Sequence, residues 1–279
     1  MKSYQQLNRN NNIINKAPRI LAVFAHPDDE SFLMGGTLAH YALNGVEVEL
    51  LCLTRGEKGY SDHATEDERQ RLPLVRESEL ARSCEILGVQ LLPLLDFPDG
   101  KLTELPFSKL AQPIANTIRL HRPDIVLTFG PEGLTGHPDH IAIYHATTLA
   151  FQVAAKPGAA LFYGGLSERT VQRLSTRLEG SLGDNRPLGL AGAPYIELDT
   201  TVSISHTNVL KWAALESHRS QSGGWESLNE ADYRLLGQAE HFRLVHVSGH
   251  AVRPARLRGP AATDLFERAA QSIPVLRTA

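Results

Sequence analysis

Short apolar runs of strand length alternate with longer stretches of helical periodicity along much of this 279-residue chain. The first run, ILAVF, is followed by apolar residues at helical spacing up to Asn44. Strands are predicted at residues 20–24, 46–53, 89–95 and 124–129, and later helices at residues 66–87, 105–121 and 138–155. Strand and helix in repeated alternation are typical of a parallel sheet with crossover helices. The predicted fold is therefore α/β and Rossmann-like, a doubly wound, mostly parallel sheet with helices on both faces and a site at the C-terminal strand ends.

The chain is predicted to form one domain between two less ordered ends. Further elements are predicted as a strand near residue 161, an extended segment at 194–204, a helix at 207–221 and a strand at 242–247. The Asn- and Gln-rich beginning indicates a flexible arm, and Arg, Pro and Gly after residue 250 indicate a loosely held tail, with room for a short helix near residues 262–271. The division is an arm at 1–17, a domain at 18–250 and a tail at 251–279.

Composition excludes several classes of partner. A formal net charge of -3 with a near-neutral pI gives no basic face for nucleic acid or an anionic membrane surface. No segment reaches the roughly 18 apolar residues of a membrane span, and no secretory h-region is visible. Cys52 and Cys84 lie in apolar contexts, which suits free buried thiols. We expect a cytoplasmic protein that binds a small molecule, with homo-oligomer formation left open.

Two clusters of histidine and carboxylate residues follow the first and fourth predicted strands. The first is AHPDDE, from Ala25 to Glu30, and the second is GHPDH, from Gly136 to His140. In the common strand order 3-2-1-4-5 the first and fourth strands are neighbours, so both loops face one crevice at the carboxyl ends of the strands. Two histidines and a carboxylate form a catalytic type of zinc site that keeps a position open for water.

Either cluster alone has a simpler explanation. Pro27 and Pro138 suit the first turn of a helix, and an aspartate there favours the helix dipole. His137 and His140 share a helix face, whereas adjacent Asp28 and Asp29 point in different directions. One aspartate is thus free to bind a metal while the other faces the bound water. The presence of both clusters at strand ends favours metal-assisted hydrolysis.

The two motifs closely resemble those of the LmbE-like family of zinc-dependent deacetylases, which is related to PIG-L and to the deacetylases of mycothiol and bacillithiol biosynthesis. The resemblance extends over residues 19–247. It implies that His26, Asp29 and His140 bind zinc and that Asp28 is the general base. It further implies that His137 stabilises the oxyanion or protonates the leaving amine, with Asp139 orienting it.

Weaker matches concern the substrate. By resemblance, Arg76 in VRESELA and Asp99 in FPDG contact sugar hydroxyls. The alternatives are a solvated Arg76 paired with Glu77 or Glu79, and plain turn chemistry for Asp99 before its glycine. The segment HRSQ from His218 also resembles a late helix of the family, although a polar helix end explains it nearly as well.

These observations predict a metal-dependent hydrolase that removes the N-acetyl group from an N-acetylglucosamine-type small-molecule conjugate. Zinc is the expected cofactor, with ferrous iron as the alternative. Two other functions stay open: an amidase that cleaves a larger N-acyl amide, and a non-catalytic metal-dependent ligand-binding protein. Dinucleotide binding is disfavoured because His26 and Pro27 stand where a Gly-rich turn is needed.

Overall fold

The computed structural model describes residues 17–167, 170–173, 198–224, 228–250 and 262–272. Residues 181–193, whose Gly and Pro content predicts a loop, and nearly all of the N-terminal arm lie outside these ranges. The described residues contain one seven-stranded sheet. Its strands are β1 (Arg19–Phe24), β2 (Glu47–Cys52), β3 (Gln90–Leu91), β4 (Ile125–Phe129), β5 (Ala160–Gly165), β6 (Thr200–Ser203) and β7 (Ala239–Val247).

The strand order is β3-β2-β1-β4-β5-β7-β6, which contains the predicted order 3-2-1-4-5. The first five of these strands pair in parallel, whereas β7 pairs antiparallel with both β5 and β6. β1 and β4 lie side by side at the centre, with Ile20 opposite Ile125. The predicted mostly parallel α/β sheet is confirmed, and its central crevice opens between β1 and β4.

The described helices pack on both sides of the sheet. Among the described residues, the α-helices of seven residues or more are α1 (Asp29–Leu43), α2 (Glu66–Leu87), α3 (Phe107–His121), α4 (Pro138–Ala154), α5 (Asn208–Ser217), α6 (Glu230–Leu236) and α7 (Leu265–Ser272). α3 packs against α4, whereas α5 packs against α1 and α2. Within the described ranges, no helix combines the length and apolar character that crossing a membrane requires.

Local chemistry explains where α2 and β3 end. A capping box between Thr65 and Glu68 starts α2, and Gly88 in the left-handed region ends it, so α2 has the predicted bounds of 66–87. β3 is shorter than predicted, although the N–H groups of Leu92 and Leu95 still donate to the β2 backbone. Pro93 lies between them and has no N–H, so the ladder is interrupted there.

The C-terminal segment is not a loose tail where the structure describes it. Leu265 is completely buried, and its N–H donates to the Tyr41 hydroxyl over 2.8 Å. Arg268 is also buried, with Nη2 3.3 Å from the Asp199 carboxylate. The short helix predicted near residues 262–271 is present as α7, and it packs against the domain predicted for residues 18–250. Isolated basic residues among Pro and Gly gave no indication of the apolar contacts that α7 makes.

Truncating Leu265 should measure how firmly α7 is docked. Leu265→Ala should lower the free energy of unfolding by about 2–5 kcal/mol, because it removes buried methyl groups and leaves a cavity. Urea titration followed by circular dichroism measures this change. Leu120→Ala is the control, since Leu120 is 77% exposed on α3, and should change stability by at most about 0.5 kcal/mol. Equal effects of the two substitutions would contradict a docked α7.

Candidate metal centre and active site

The two histidine clusters meet beyond the carboxyl ends of β1 and β4. His26 lies two residues after β1, and His137 is the N-cap of α4, with Pro138 in the first turn. His140 is one turn further along α4, where its ring stacks on Phe129 of β4 at 4.1 Å between centroids. The Nδ1 atom of His26 lies 3.2 Å from the Nε2 atom of His140. The predicted convergence of the two motifs is confirmed.

Hydrogen bonds on the far side of each ring determine which nitrogen faces the cluster. The Nε2 atom of His26 lies 3.0 Å from the Asp99 carboxylate, and the Nδ1 atom of His140 lies 2.9 Å from the carbonyl oxygen of Gly133. Both partners are acceptors, so these two nitrogens carry the ring protons. When both rings are neutral, the lone pairs of His26 Nδ1 and His140 Nε2 therefore face one another, an arrangement that a cation between them, a metal or a proton, stabilises.

Asp29 completes this group of donors. Its Oδ1 lies 3.1 Å from His140 Nε2, and its Oδ2 lies 3.6 Å from His26 Nδ1. Tetrahedral zinc with bonds of about 2.0–2.1 Å places neighbouring donor atoms about 3.3–3.4 Å apart. All three side chains are buried. The residues present therefore fit a divalent metal of this size.

Two other donor groups overlap with this one. Ring nitrogens of His26, His137 and His140 lie within 4.8 Å of one another, and His26 also forms a group with Asp99 and Asp139. His26 belongs to both groups because its two nitrogens face opposite sides. By distance, His137 is therefore an alternative to Asp29 as the third metal ligand. Metal binding by a His137 variant distinguishes the two.

Burial and neighbouring charges shift the pKa values of the donor residues and of His137. Burial by itself would lower the pKa of His26, but hydrogen bonds to Asp139, Asp29 and Asp99 raise it well above the ordinary value. Burial would raise the pKa of Asp29, yet His140 and His26 hold it far below its usual range. In contrast, burial and then the nearby His140 and His26 lower the pKa of His137 to about 4. The centre therefore attracts positive charge, while the His137 ring next to it is neutral in the absence of a substrate.

Asp139 does not orient His137 through its carboxylate, which corrects the sequence-based prediction. That carboxylate accepts hydrogen bonds from the N–H groups of Gly100 and Leu102 at 2.7 and 3.0 Å, and lies 3.3 Å from His26 Nε2. Contact with His137 is made by the Asp139 backbone N–H, which donates to His137 Nδ1 over 3.2 Å. Asp139 therefore holds the ring of the candidate ligand His26.

Asp28 has a strained backbone beside the metal donors. Its φ angle is 109°, in the left-handed region that non-glycine residues rarely adopt. Its N–H donates to Glu30 Oε2 over 3.1 Å, and its Oδ2 lies 3.2 Å from Arg76 Nη2. Burial and the nearby Asp29 charge raise the pKa of Asp28 to about 6, although the Arg76 charge opposes this. These contacts aim the carboxylate into the cleft.

Arg76 is only 3% exposed, so its interpretation as a solvated helix residue is wrong. Its guanidinium donates to the carbonyl oxygens of Gly56 and Pro27 as well as to Asp28. Gly56 has a φ of 67°, and a Cβ atom there would lie 2.3 Å from Arg76 Nη1. Glycine is therefore required for this close approach. The contact of Arg76 with a sugar remains a prediction.

A buried network that sequence reasoning missed supports Asp28 from behind. Oε1 of Glu30 accepts hydrogen bonds from Ser83 Oγ and His218 Nε2 at 2.5 and 2.8 Å. Glu30 belongs to the first motif and His218 to the HRSQ segment, so both offered a sequence signal. Ser83 offered none, because a serine inside a polar helix has no distinguishing pattern. The network links α1, α2 and the end of α5.

A cleft of about 320 Å³ gathers all the predicted site residues except Asp139. The remaining walls are Phe32, Lys58, Gly59, Gly100, Leu134 and Gln221. Asp99 borders it while contacting His26 and accepting a hydrogen bond from the Lys58 N–H over 2.8 Å. The cleft thus combines an enclosed carboxylate, a neutral imidazole and a set of metal donors. This combination is suited to the hydrolysis of a small substrate.

Comparisons with known proteins agree with this geometry. A family model described as PIG-L: GlcNAc-PI de-N-acetylase matches residues 21–151. A 1D-myo-inositol 2-acetamido-2-deoxy-alpha-D-glucopyranoside deacetylase from Kineococcus radiotolerans is 32% identical over an alignment that covers 91% of this chain and 84% of that protein.

Two solved structures share the fold. N,N'-diacetylchitobiose deacetylase from Pyrococcus horikoshii aligns with a TM-score of 0.58 and 21% identity, covering 84% of this chain and 88% of the other. The 4-carboxy-2-hydroxymuconate hydratase GalB from Pseudomonas putida aligns with a TM-score of 0.63 and 18% identity, covering 84% and 98%. Because a deacetylase and a hydratase share this fold, the fold alone does not determine the reaction. With the double motif and the similarity to the Kineococcus protein, the chain belongs to the PIG-L family of LmbE-like deacetylases.

Proposed function

We propose that this protein is a zinc-dependent N-deacetylase that releases acetate from an N-acetylglucosamine-type small-molecule conjugate. The observation that supports it best is the convergence of His26, Asp29 and His140 beside a carboxylate and an imidazole that are not needed as ligands. A purely binding protein needs a metal and a crevice, but neither a base nor a group facing the oxyanion. The Kineococcus relative, named as a deacetylase of an inositol-linked acetamido sugar, supports the same substrate class.

His26, Asp29 and His140 would hold the metal, with zinc favoured and ferrous iron as the alternative. When bound, a divalent metal lowers the pKa of a coordinated water and polarises the acetyl carbonyl. The Asp99 and Asp139 carboxylates fix the ring of His26, and the Gly133 carbonyl fixes that of His140. Such outer contacts keep the donor nitrogens aimed at one point.

Asp28 acts as the general base in this proposal. Its carboxylate lies next to the donors but is held by Arg76 outside the donor group, so it accepts the proton of the attacking water. His137 lies on the other side, with its ring centroid 4.9 Å from that of His26 and 4.7 Å from that of His140. From there it stabilises the negative oxygen of the tetrahedral intermediate or protonates the departing amine.

A substrate screen tests the proposal. Metal-replete protein is incubated with N-acetylglucosamine, its inositol glycoside and the same sugars bearing longer N-acyl chains, and primary amine is measured. Amine release from the acetylated compounds is expected. Release only from the longer acyl amides would favour the alternative amidase. Tight binding without release from any compound would favour the non-catalytic alternative.

Arg76→Lys separates two roles of Arg76. A lysine keeps the charge but cannot bridge Asp28 and two backbone carbonyls, so the base is no longer fixed. We expect kcat to fall by about tenfold or more on both an acetylated sugar and a simple acetamide, because small misplacements of catalytic groups are costly. Steady-state kinetics on the two substrates measures this. A loss confined to KM on the sugar would instead support the predicted sugar contact.

A further inference from the structure

The peptide unit between Pro27 and Asp28 is held at both of its ends. Its carbonyl oxygen, from Pro27, accepts a hydrogen bond from the Arg76 guanidinium. Its N–H, from Asp28, donates to Glu30 Oε2 over 3.1 Å. The orientation of this peptide plane sets the φ angle of Asp28, which is 109°. A non-glycine residue keeps such a conformation only where neighbouring contacts impose it. Arg76 and Glu30 provide those contacts on the two sides of the plane.

Glu30 faces hydrogen-bond donors at both carboxylate oxygens. Oε2 faces the Asp28 N–H, and Oε1 accepts from Ser83 Oγ and His218 Nε2. Glu30 is 1% exposed, so water does not replace these partners. A carboxylate accepts at both oxygens, whereas a glutamine side chain has one acceptor oxygen and one NH₂ donor. Glutamine at position 30 would therefore place its NH₂ group against a donor on one of the two sides.

The His218 ring contacts Glu30 through one nitrogen and leaves the other without a hydrogen bond. The side chain is completely buried, and Nδ1 has no partner within the described part of the chain. A buried polar atom without a partner lowers stability, so packing alone would be served better by an apolar ring. The contact with Glu30, which lies 188 positions away in the sequence, is what a histidine provides here.

The segment that carries His218 is itself anchored to neighbouring elements. Ser220 donates from its N–H and its Oγ to the Glu79 carboxylate of α2 over 2.8 and 2.6 Å. Gln221 donates from Nε2 to the carbonyl oxygen of Gly59 over 2.8 Å. These contacts hold the His218 ring against Glu30.

We propose that Glu30 and His218 are positioning residues for the general base. Glu30 fixes the peptide plane that orients Asp28, and His218 fixes the Glu30 carboxylate. The inference rests on the proposed function, because it takes Asp28 as the base. Neither Glu30 nor His218 borders the cleft of about 320 Å³. Their substitution should therefore lower turnover and leave substrate binding and metal binding intact.

Glu30→Gln should lower kcat on an N-acetylated amino sugar by about 10- to 100-fold, because small misplacements of a catalytic group are costly. KM should change by less than about twofold. The metal should remain, since the Asp29 carboxylate accepts a separate hydrogen bond from the His26 N–H over 2.8 Å. Glu85→Gln is the matched control, because Glu85 is a 70% exposed side chain on α2 that pairs with Arg82. Steady-state kinetics and elemental analysis should show no change in this control.

Two substitutions of His218 separate positioning from packing. His218→Phe keeps a buried ring but removes the donor, and it should lower kcat by about 3- to 10-fold with KM unchanged. His218→Gln keeps an N–H group at the place of Nε2 and should retain kcat within about twofold. A phenylalanine variant as active as the glutamine variant would overturn the role of His218. This comparison also decides the proposal if Glu30→Gln fails to fold.

A double-mutant cycle tests whether Glu30 acts through Asp28. In the Asp28→Asn background, Glu30→Gln should lower the residual kcat by less than about threefold, because no base is left to orient. A loss in that background as large as the loss in wild type would overturn the proposal. Loss of the metal from Glu30→Gln alone would also overturn it, since Glu30 would then support the metal donors instead of the base.

Crystal structures of the variants provide a readout without turnover. In Glu30→Gln the φ angle of Asp28 should move away from 109°, whereas Glu85→Gln should retain it. An unchanged φ angle in Glu30→Gln would overturn the positioning role. If the wild type hydrolyses no acetylated compound, the deacetylase proposal fails, while these structures still decide whether Glu30 holds Asp28 in place.

Discussion

Asp28→Asn should lower kcat for release of acetate by about 10²–10⁴-fold, the usual cost of removing a general base. The amide has nearly the same shape as the carboxylate but cannot accept the proton of the attacking water. Asparagine is also one of the few residues that tolerate the left-handed backbone of position 28, where φ is 109°. The variant should therefore fold normally and retain its metal. Steady-state kinetics, elemental analysis and thermal unfolding together measure these three quantities.

Asp96→Asn is the matched control for this substitution. Asp96 is a largely exposed carboxylate that pairs with Arg55 and does not border the cleft of about 320 Å³. Its replacement should leave turnover near that of the wild type. Near wild-type kcat in Asp28→Asn would remove Asp28 from the mechanism. Loss of the metal in that variant would instead make Asp28 a ligand, contrary to its contact with Arg76.

The parts of the fold that the sequence predicts well are those in which local and long-range preferences agree. The predicted strands at residues 20–24 and 124–129 are mostly apolar, as buried central strands require, and they appear as β1 and β4. The bounds of α2 follow from its capping box and from Gly88. Such signals come from residues close together in the sequence, so they can be recognised without knowledge of the tertiary structure.

Other features depend on contacts that a pattern cannot show. The antiparallel pairing of β7 with β5 and β6 reverses the parallel trend, and the docking of α7 against Tyr41 joins residues 224 positions apart. Within the site, the motifs predicted which residues meet. They did not show that the Asp139 carboxylate contacts His26, which is 113 positions away, instead of His137, which is two positions away. Hydrogen-bond direction is a property of the folded site.

His140→Ala should abolish tight metal binding and, with it, activity. His140 Nε2 is one of the two lone-pair nitrogens that face one another, and its loss leaves only His26 and Asp29 as donors. Loss of an outer contact to a ligand typically costs 10–100-fold in metal affinity, so loss of a ligand should cost more than about 100-fold. Competition with a chromogenic chelator measures the affinity, and circular dichroism shows whether the fold persists. His140→Gln, which fills more of the space, serves as a second variant if the alanine substitution unfolds the protein.

Two further substitutions on the same helix make this test specific. His145→Ala removes an exposed imidazole from α4 and should leave metal affinity unchanged. His137→Ala should also retain the metal while losing activity, because Asp29, and not His137, is taken as the third donor. If His137→Ala lost the metal as fully as His140→Ala, the group of His26, His137 and His140 would be the metal site, and His137 could not serve the oxyanion. Unchanged metal affinity in both His140 variants would show that His140 is not a metal ligand. In the wild type, His26 Nδ1 and His140 Nε2 would then share a proton in a hydrogen bond.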